Sequence, residues 1–281
     1  MIRGPLDWED AERSIRAFAD VLADEGLRGT FFVAPEALGR LCDVAQELAQ
    51  AGMELGMLCH PQLSNYQSFL GCYGYDRERE VIQLQKQIWQ ERLGTAPVNF
   101  RGGFFSASDY TFQILCLEGF HQGSCSLPGR IDAEQCSIWQ GACPSPHHTD
   151  PLDRKAAGTM DFYEVPVTSQ HDAPEYAPAE TFTPPHLRIE APDINEYARG
   201  LMERTLGWMD AERVPVKAVT FVTQNSAGWG GPEDPLTERL HNLASLLRSV
   251  AQRAGMRIEP ADLAGLHQAA DLKWRSTGAG R

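Results

Sequence analysis

An α/β protein built on a largely parallel sheet, either doubly wound or closed into a barrel, is the fold class that this sequence predicts. Three observations lead there. Helical patterns alternate with short β-branched or aromatic runs through the first 125 residues. Runs such as Gly29-Thr30-Phe31-Phe32-Val33 are apolar at successive positions, as buried parallel strands are. The chain has 281 residues, of which 42% are hydrophobic and 22% charged, enough for a sizeable core and unlike a disordered chain.

The elements follow in order. Asp7 is placed to cap an amphipathic helix over 8–25, with Ile15, Phe18 and Leu22 on one stripe and Gly26 behind it. A strand over 28–33 comes next, then Pro35 at the entry to a helix over 37–50 that Gly52 closes. A strand over 54–58 leads into a loop rich in Gly, Tyr and Asn. A helix over 77–92 presents Val81, Leu84 and Ile88, and a short strand over 98–101 precedes a helix over 109–118 capped by Ser106 or Ser108. Residues 120–125 read as a strand.

Between 126 and 192 the rhythm breaks. Pro, Gly and His are frequent there, and only 162–167 has a strand pattern, so this stretch reads as an elaborated loop region of one domain spanning 1–270. Helices over 194–212 and 235–254 then flank a strand over 216–223. Residues 271–281 read as a frayed tail.

Composition removes several function classes. The 25 basic against 38 acidic residues leave a net charge of −13, which repels phosphate backbones, so nucleic acid is not an expected partner. No apolar run approaches the ~20 residues of a membrane-spanning helix. Seven cysteines, an odd number with no C-x-x-C spacing, and a first decapeptide without an apolar core give the expectation of a cytoplasmic protein whose thiols are mostly small buried hydrophobes. The sequence has no G-x-G-x-x-G after a strand, no phosphate-binding G-x-x-x-x-G-K-[ST], no H-E-x-x-H and no G-x-S-x-G.

Three segments carry polar residues where strands end, the face on which α/β barrels build active sites. They are Leu58-Cys59-His60-Pro61, Phe100-Arg101-Gly102-Gly103-Phe104-Phe105-Ser106 and Thr223-Gln224-Asn225. With Gly29-Thr30-Phe31-Phe32-Val33, the Gly52–Gly56 segment, Gly119-Phe120 and the stretch from Ser124 to Pro128, in this order, they resemble the polysaccharide deacetylases, the NodB-homology group known as carbohydrate esterase family 4. The resemblance covers roughly residues 8–266.

That resemblance implies a distorted (β/α) barrel. It also implies a hydrolase that removes an acyl group from an amino sugar, acting on a carbon–nitrogen bond with the help of a divalent metal such as zinc. In the family one Asp and two His hold the metal, a second Asp is the base, and a late His protonates the leaving group. The ion would lower the pKa of a bound water and stabilise the oxyanion.

This sequence departs from that pattern at each of these positions. The Asp-Asp pair belongs to a first strand ahead of the helix at Trp8, where only seven residues stand, so the barrel is expected to lack that strand. Leu58 fills the first His position of the His-x-His-Pro motif, which leaves His60 as the only metal ligand in register. Gln224 fills the late His position. Two functions follow as expectations: a deacetylase-like hydrolase with a degenerate metal site, or a catalytically silent relative that binds a carbohydrate or a protein through the same face.

His60 and Arg101 are the candidate catalytic residues. His60 is equally readable as a hydrogen-bonded strand-end residue, and Arg101 as one half of a salt bridge. Gln224, Asn225 and Trp229 are the candidate carbohydrate-binding residues, although Trp229 fits a plug of the barrel rim as well. His147-His148 read as a polar loop, since neighbouring side chains of an extended segment point apart and seldom share an ion. Glu54, within an apolar strand, needs a buried partner. The strand over 28–33 has no Pro or Lys to guard an edge, so its exposure, or its cover by residues 1–7 or by a second copy in a homo-oligomer, is expected.

Overall fold

The computed structural model describes residues 7–172, 181–231 and 234–276. Helix α1 (Trp8–Asp24) starts at Asp7, whose carboxylate accepts the amides of Glu9 and Asp10 at 2.8 and 3.2 Å. Strand β1 (Thr30–Val33), helix α2 (Leu38–Gln50), strand β2 (Glu54–Cys59), helix α3 (Tyr75–Leu93), strand β3 (Asn99–Gly102), helix α4 (Thr111–Leu117) and strand β4 (Gln122–Gly123) follow in the alternation expected. Then come β5 (Ile131–Asp132), β6 (Ser137–Ile138), β7 (His147–His148), β8 (Tyr163–Glu164), β9 (Thr181–Phe182), α5 (Ile194–Ala211), α6 (Pro235–Arg253) and α7 (Leu263–Ser276).

The main sheet runs β1-β2-β3-β4-β8-β7, parallel except for the antiparallel pairing of β7 with β8. Alternation sorts its side chains onto two faces. Met57, Cys59 and Phe100 enter the core formed with Val81, Ile82 and Trp89 of α3 and Phe112 of α4. Thr30, Phe32, Glu54, Leu58, Arg101 and Tyr163 occupy the opposite face. There α7 lies across the start of the strands, with Leu263, Leu266 and Ala270 against Phe32, Tyr163 and Val165. Glu54 finds its partners in that helix: its carboxylate accepts the amides of Leu263 and Ala264 at 3.0 and 2.9 Å and the Thr30 hydroxyl. Burial pushes the Glu54 carboxyl up, and these donors oppose the shift.

Several expectations are corrected. Residues 216–223 form no ladder; their backbone bonds irregularly, Val222 N–H to Leu187 O at 2.9 Å and Thr220 N–H to the Thr168 hydroxyl at 2.9 Å. The segment is extended and partly apolar, but its partners are single residues of loops. Strands β4 and β8 are shorter than expected because the Glu164 carboxylate takes the amides of Cys125 and Ser126, at 2.9 and 2.8 Å, away from the ladder. The 126–192 region holds a small antiparallel sheet, β6-β5-β9, and His147-His148 are strand rather than loop.

The tail expected from 271 is helical through Ser276 as part of α7, and residues 277–281 lie outside the described residues. Cys72 and Cys136 are paired in a disulfide with Cα atoms 5.7 Å apart, and of the other five only Cys59 and Cys125 are buried. The expectation that most thiols are small buried hydrophobes therefore holds for Cys59 and Cys125 alone.

Strand β1 stands at the end of the sheet order, as the unguarded edge anticipates, with its four side chains partly buried. Residues 1–6, part of the cover considered for it, lie outside the described residues. Among the described residues no helix is long and apolar enough to cross a membrane.

Candidate functional site at the strand ends

His60 and the segment from Arg101 to Ser106 come together at the C-terminal ends of β2 and β3. His60 ends its strand because Pro61 follows and starts a single turn of tight helix. Its carbonyl accepts from Gln85 Nε2 at 2.9 Å, and its ring lies edge-on to Phe104 with centroids 5.3 Å apart. The imidazole Nδ1 is buried with no hydrogen-bond partner among the described residues. Loss of hydration pushes its pKa down to about 4, so the ring is neutral over the physiological range.

Arg101 is register partner to Leu58. Its Nε donates to Ser124 O at 2.8 Å and its Nη2 to the Ser124 hydroxyl at 2.6 Å. The guanidinium lies over the Phe32 ring at 4.4 Å and near that of Phe105 at 5.4 Å. Burial pushes its pKa down to about 10, which leaves it charged. A carbonyl, a hydroxyl and two aromatic faces thus hold a positive charge on this face of the sheet.

Phe104 is the residue that sequence reasoning missed. It and Phe105 both have φ of 59°, a left-handed conformation in which bulky residues are strained. Phe104 is 40% exposed, and its ring is held edge-on by Phe69 at 5.4 Å and by His60. The Gly102-Gly103 pair ahead of two Phe was the available signal, since adjacent glycines permit a tight turn that can set an aromatic ring outward.

The remaining candidates lie on other elements. Gln224 and Asn225 are exposed, and the Gln224 amide donates to Glu190 Oε1 at 2.8 Å. Glu190 also accepts the Thr223 hydroxyl at 2.5 Å and lies 3.4 Å from Arg188 Nε. Trp229 is 1% exposed, packed on Phe18 with ring centroids 4.8 Å apart, and its indole N–H donates to the Thr223 hydroxyl at 3.0 Å. No face of it is open to a sugar ring. It is the rim plug of the two alternatives.

The divalent metal that the resemblance implies does not fit the strand ends. Among the described residues no three metal-ligating side chains come together there, where His60 stands beside an aliphatic Leu58 and a guanidinium, whereas a catalytic zinc site takes three protein ligands. A cation next to Arg101 would meet repulsion rather than compensation.

No protein-family model matches the sequence, and no curated protein is similar to it. Solved structures are similar in fold. A protein of Mycobacterium smegmatis assigned as a polysaccharide deacetylase superposes with a TM-score of 0.53 at 17% identity, over 90% of this chain and 81% of its own. One of Pseudomonas aeruginosa PAO1, assigned likewise, gives 0.54 at 13% identity, over 95% and 74%. Puue allantoinase gives 0.56 at 13%, over 94% and 72%. The chain therefore has the α/β fold of the polysaccharide deacetylases, with a mostly parallel sheet, as its strand-end motifs anticipate.

Proposed function

We propose that the strand-end face binds a carbohydrate, with Phe104 as the stacking ring, and that it does so without the metal-assisted hydrolysis implied by the resemblance. The observation that carries this is the partly exposed Phe104 ring, kept in a left-handed conformation beside His60 at the strand ends of a fold similar to that of polysaccharide deacetylases. Strain of this kind costs roughly 1–3 kcal/mol, and it clusters where function needs it. An aromatic face suits the C–H-rich face of a pyranose. The neutral His60 is within the same patch to exchange hydrogen bonds with hydroxyl or acetamido groups. Exposed Gln224 and Asn225 supply further amides on the strand-end side of the same fold.

Metal-free hydrolysis is disfavoured by the same geometry. A base with a pKa near 4 is weak at neutral pH, and Gln224 cannot protonate a leaving group. The reading is tested by calorimetric titration of the full chain with an N-acetylated chito-oligosaccharide. Saturable binding that weakens at least tenfold in Phe104→Ala supports it. Binding that is absent, or indifferent to Phe104, overturns it.

A further inference from the structure

At the opposite end of the strands a second cluster has the makings of a metal centre. Gln122, Tyr163 and His148 stand level with one another at the starts of β4 and β8 and in β7, whereas His60 follows the end of β2. His148 faces α7 there, and one turn of that helix presents His267 and Asp271 at i and i+4. His148 Nε2 is 3.6 Å and His267 Nε2 3.8 Å from the same oxygen, Asp271 Oδ1. One ligand atom from each of the three residues lies within 4.8 Å of the others. Ligands about 2.1 Å from a tetrahedral zinc stand about 3.4 Å apart, so closure needs only small side-chain rotations.

The outer contacts fix which nitrogens face inward. His267 Nδ1 lies 3.0 Å from Gln122 Oε1, and His148 Nδ1 lies 3.1 Å from Met160 O. Both acceptors require a proton on Nδ1, which leaves the Nε2 lone pairs toward Asp271, the arrangement that orients metal-bound histidines. The His267 ring is stacked flat on Tyr163, with 2° between planes and centroids 5.1 Å apart. Its Nε2 is buried and has no hydrogen-bond partner among the described residues. A buried lone pair directed at a second imidazole and a carboxylate is a costly arrangement unless something electropositive sits among them.

We propose that His148, His267 and Asp271 bind a divalent cation of the zinc type through Nε2, Nε2 and Oδ1. Two imidazoles and one carboxylate suit Zn²⁺ or Co²⁺ better than Mg²⁺ or Ca²⁺. Asp271, whose side chain is 46% exposed, puts the site within reach of solvent, so water would complete the coordination. The ion ties the C-terminal helix to the antiparallel edge strand. This site is distinct from the strand-end face and stands or falls independently of the carbohydrate reading.

The test is titration of the tag-free full chain with Zn²⁺ by calorimetry and with Co²⁺ by visible absorption. One equivalent should bind at about micromolar Kd or tighter, with a ligand-field spectrum of low-symmetry four-coordination. Asp271→Asn, at a partly exposed position that spares the core, and His148→Gln should each weaken binding at least tenfold. His60→Ala should leave it unchanged. Absence of binding up to about millimolar metal, or binding indifferent to both Asp271→Asn and His148→Gln, overturns the proposal.

Discussion

Gly103 is the wall against which the His60 imidazole rests: a β-carbon on Gly103 would overlap Nδ1 and Cε1 of that ring. Replacing Gly103 by Ala should push the imidazole away, with a loss of about 1–3 kcal/mol, the usual cost of overfilling a packed contact. In Gly103→Ala/His60→Ala the clash disappears, so the double variant should be more stable than the two single losses sum to. Urea unfolding of the four-member cycle reads this coupling, and strictly additive losses would contradict the contact.

The depressed pKa of His60 makes a prediction about pH. The unfolded chain protonates this histidine near 6.5, whereas the folded chain does so only near 4. Between those values the unfolded state carries more protons, so this residue lowers stability as pH falls from 6.5 to 4 and contributes no pH dependence above 6.5. His60→Gln should remove that part of the slope: its unfolding free energy relative to the parent should improve on going from pH 7 to pH 5. Parallel pH profiles would show the ring to be hydrated.

Phe104 separates binding from stability. Asn tolerates the left-handed conformation better than Phe, so Phe104→Asn should recover part of the backbone strain and offset the lost ring packing. Stability should change by less than about 1 kcal/mol, while affinity for an N-acetylated oligosaccharide falls at least tenfold. Chemical denaturation and calorimetry on one preparation give both numbers. A large loss of stability would recast Phe104 as a core residue.

Pairing of Cys72 with Cys136 closes a long loop, at a sequence separation of 64, and joins the turn before α3 to the loop between β5 and β6. Such a link typically contributes about 2–4 kcal/mol. Under non-reducing denaturation five of the seven thiols should alkylate, and reduction should lower the melting temperature. Seven reactive thiols, or a melting temperature indifferent to reductant, would restore the free-thiol reading.

The first half of the fold was legible because its signals are local. Asp7, Gly26, Pro35 and Gly52 bound helices whose apolar stripes recur within a few residues, and the helix of Leu236, Leu240 and Leu243 is equally plain. Residues 216–223 misled because a strand's ladder depends on distant partners, and those partners here are single loop residues. Helix α7 carries a weak stripe, Leu263, Leu266 and Ala270, and its start depends on the distant Glu54 as well as on nearby Asp262.

At the site, His60 and Arg101 were found by strand-end position, Phe104 was hidden by a backbone angle, and Trp229 was decided by packing on Phe18. The alternation that argued against His147 and His148 sharing an ion is what sends His148 alone to α7, where His267 and Asp271 meet it.

Acetate release from an N-acetylated chito-oligosaccharide, followed with saturating Zn²⁺ or Co²⁺ over days, decides whether the strand-end face hydrolyses or only binds. A strand-end face with one neutral imidazole, Leu58 and Gln224 in place of ligands and acid should release no acetate above that of a His60→Ala control. Metal-dependent turnover that His60→Ala abolishes would contradict it and establish a working hydrolytic centre at the strand ends.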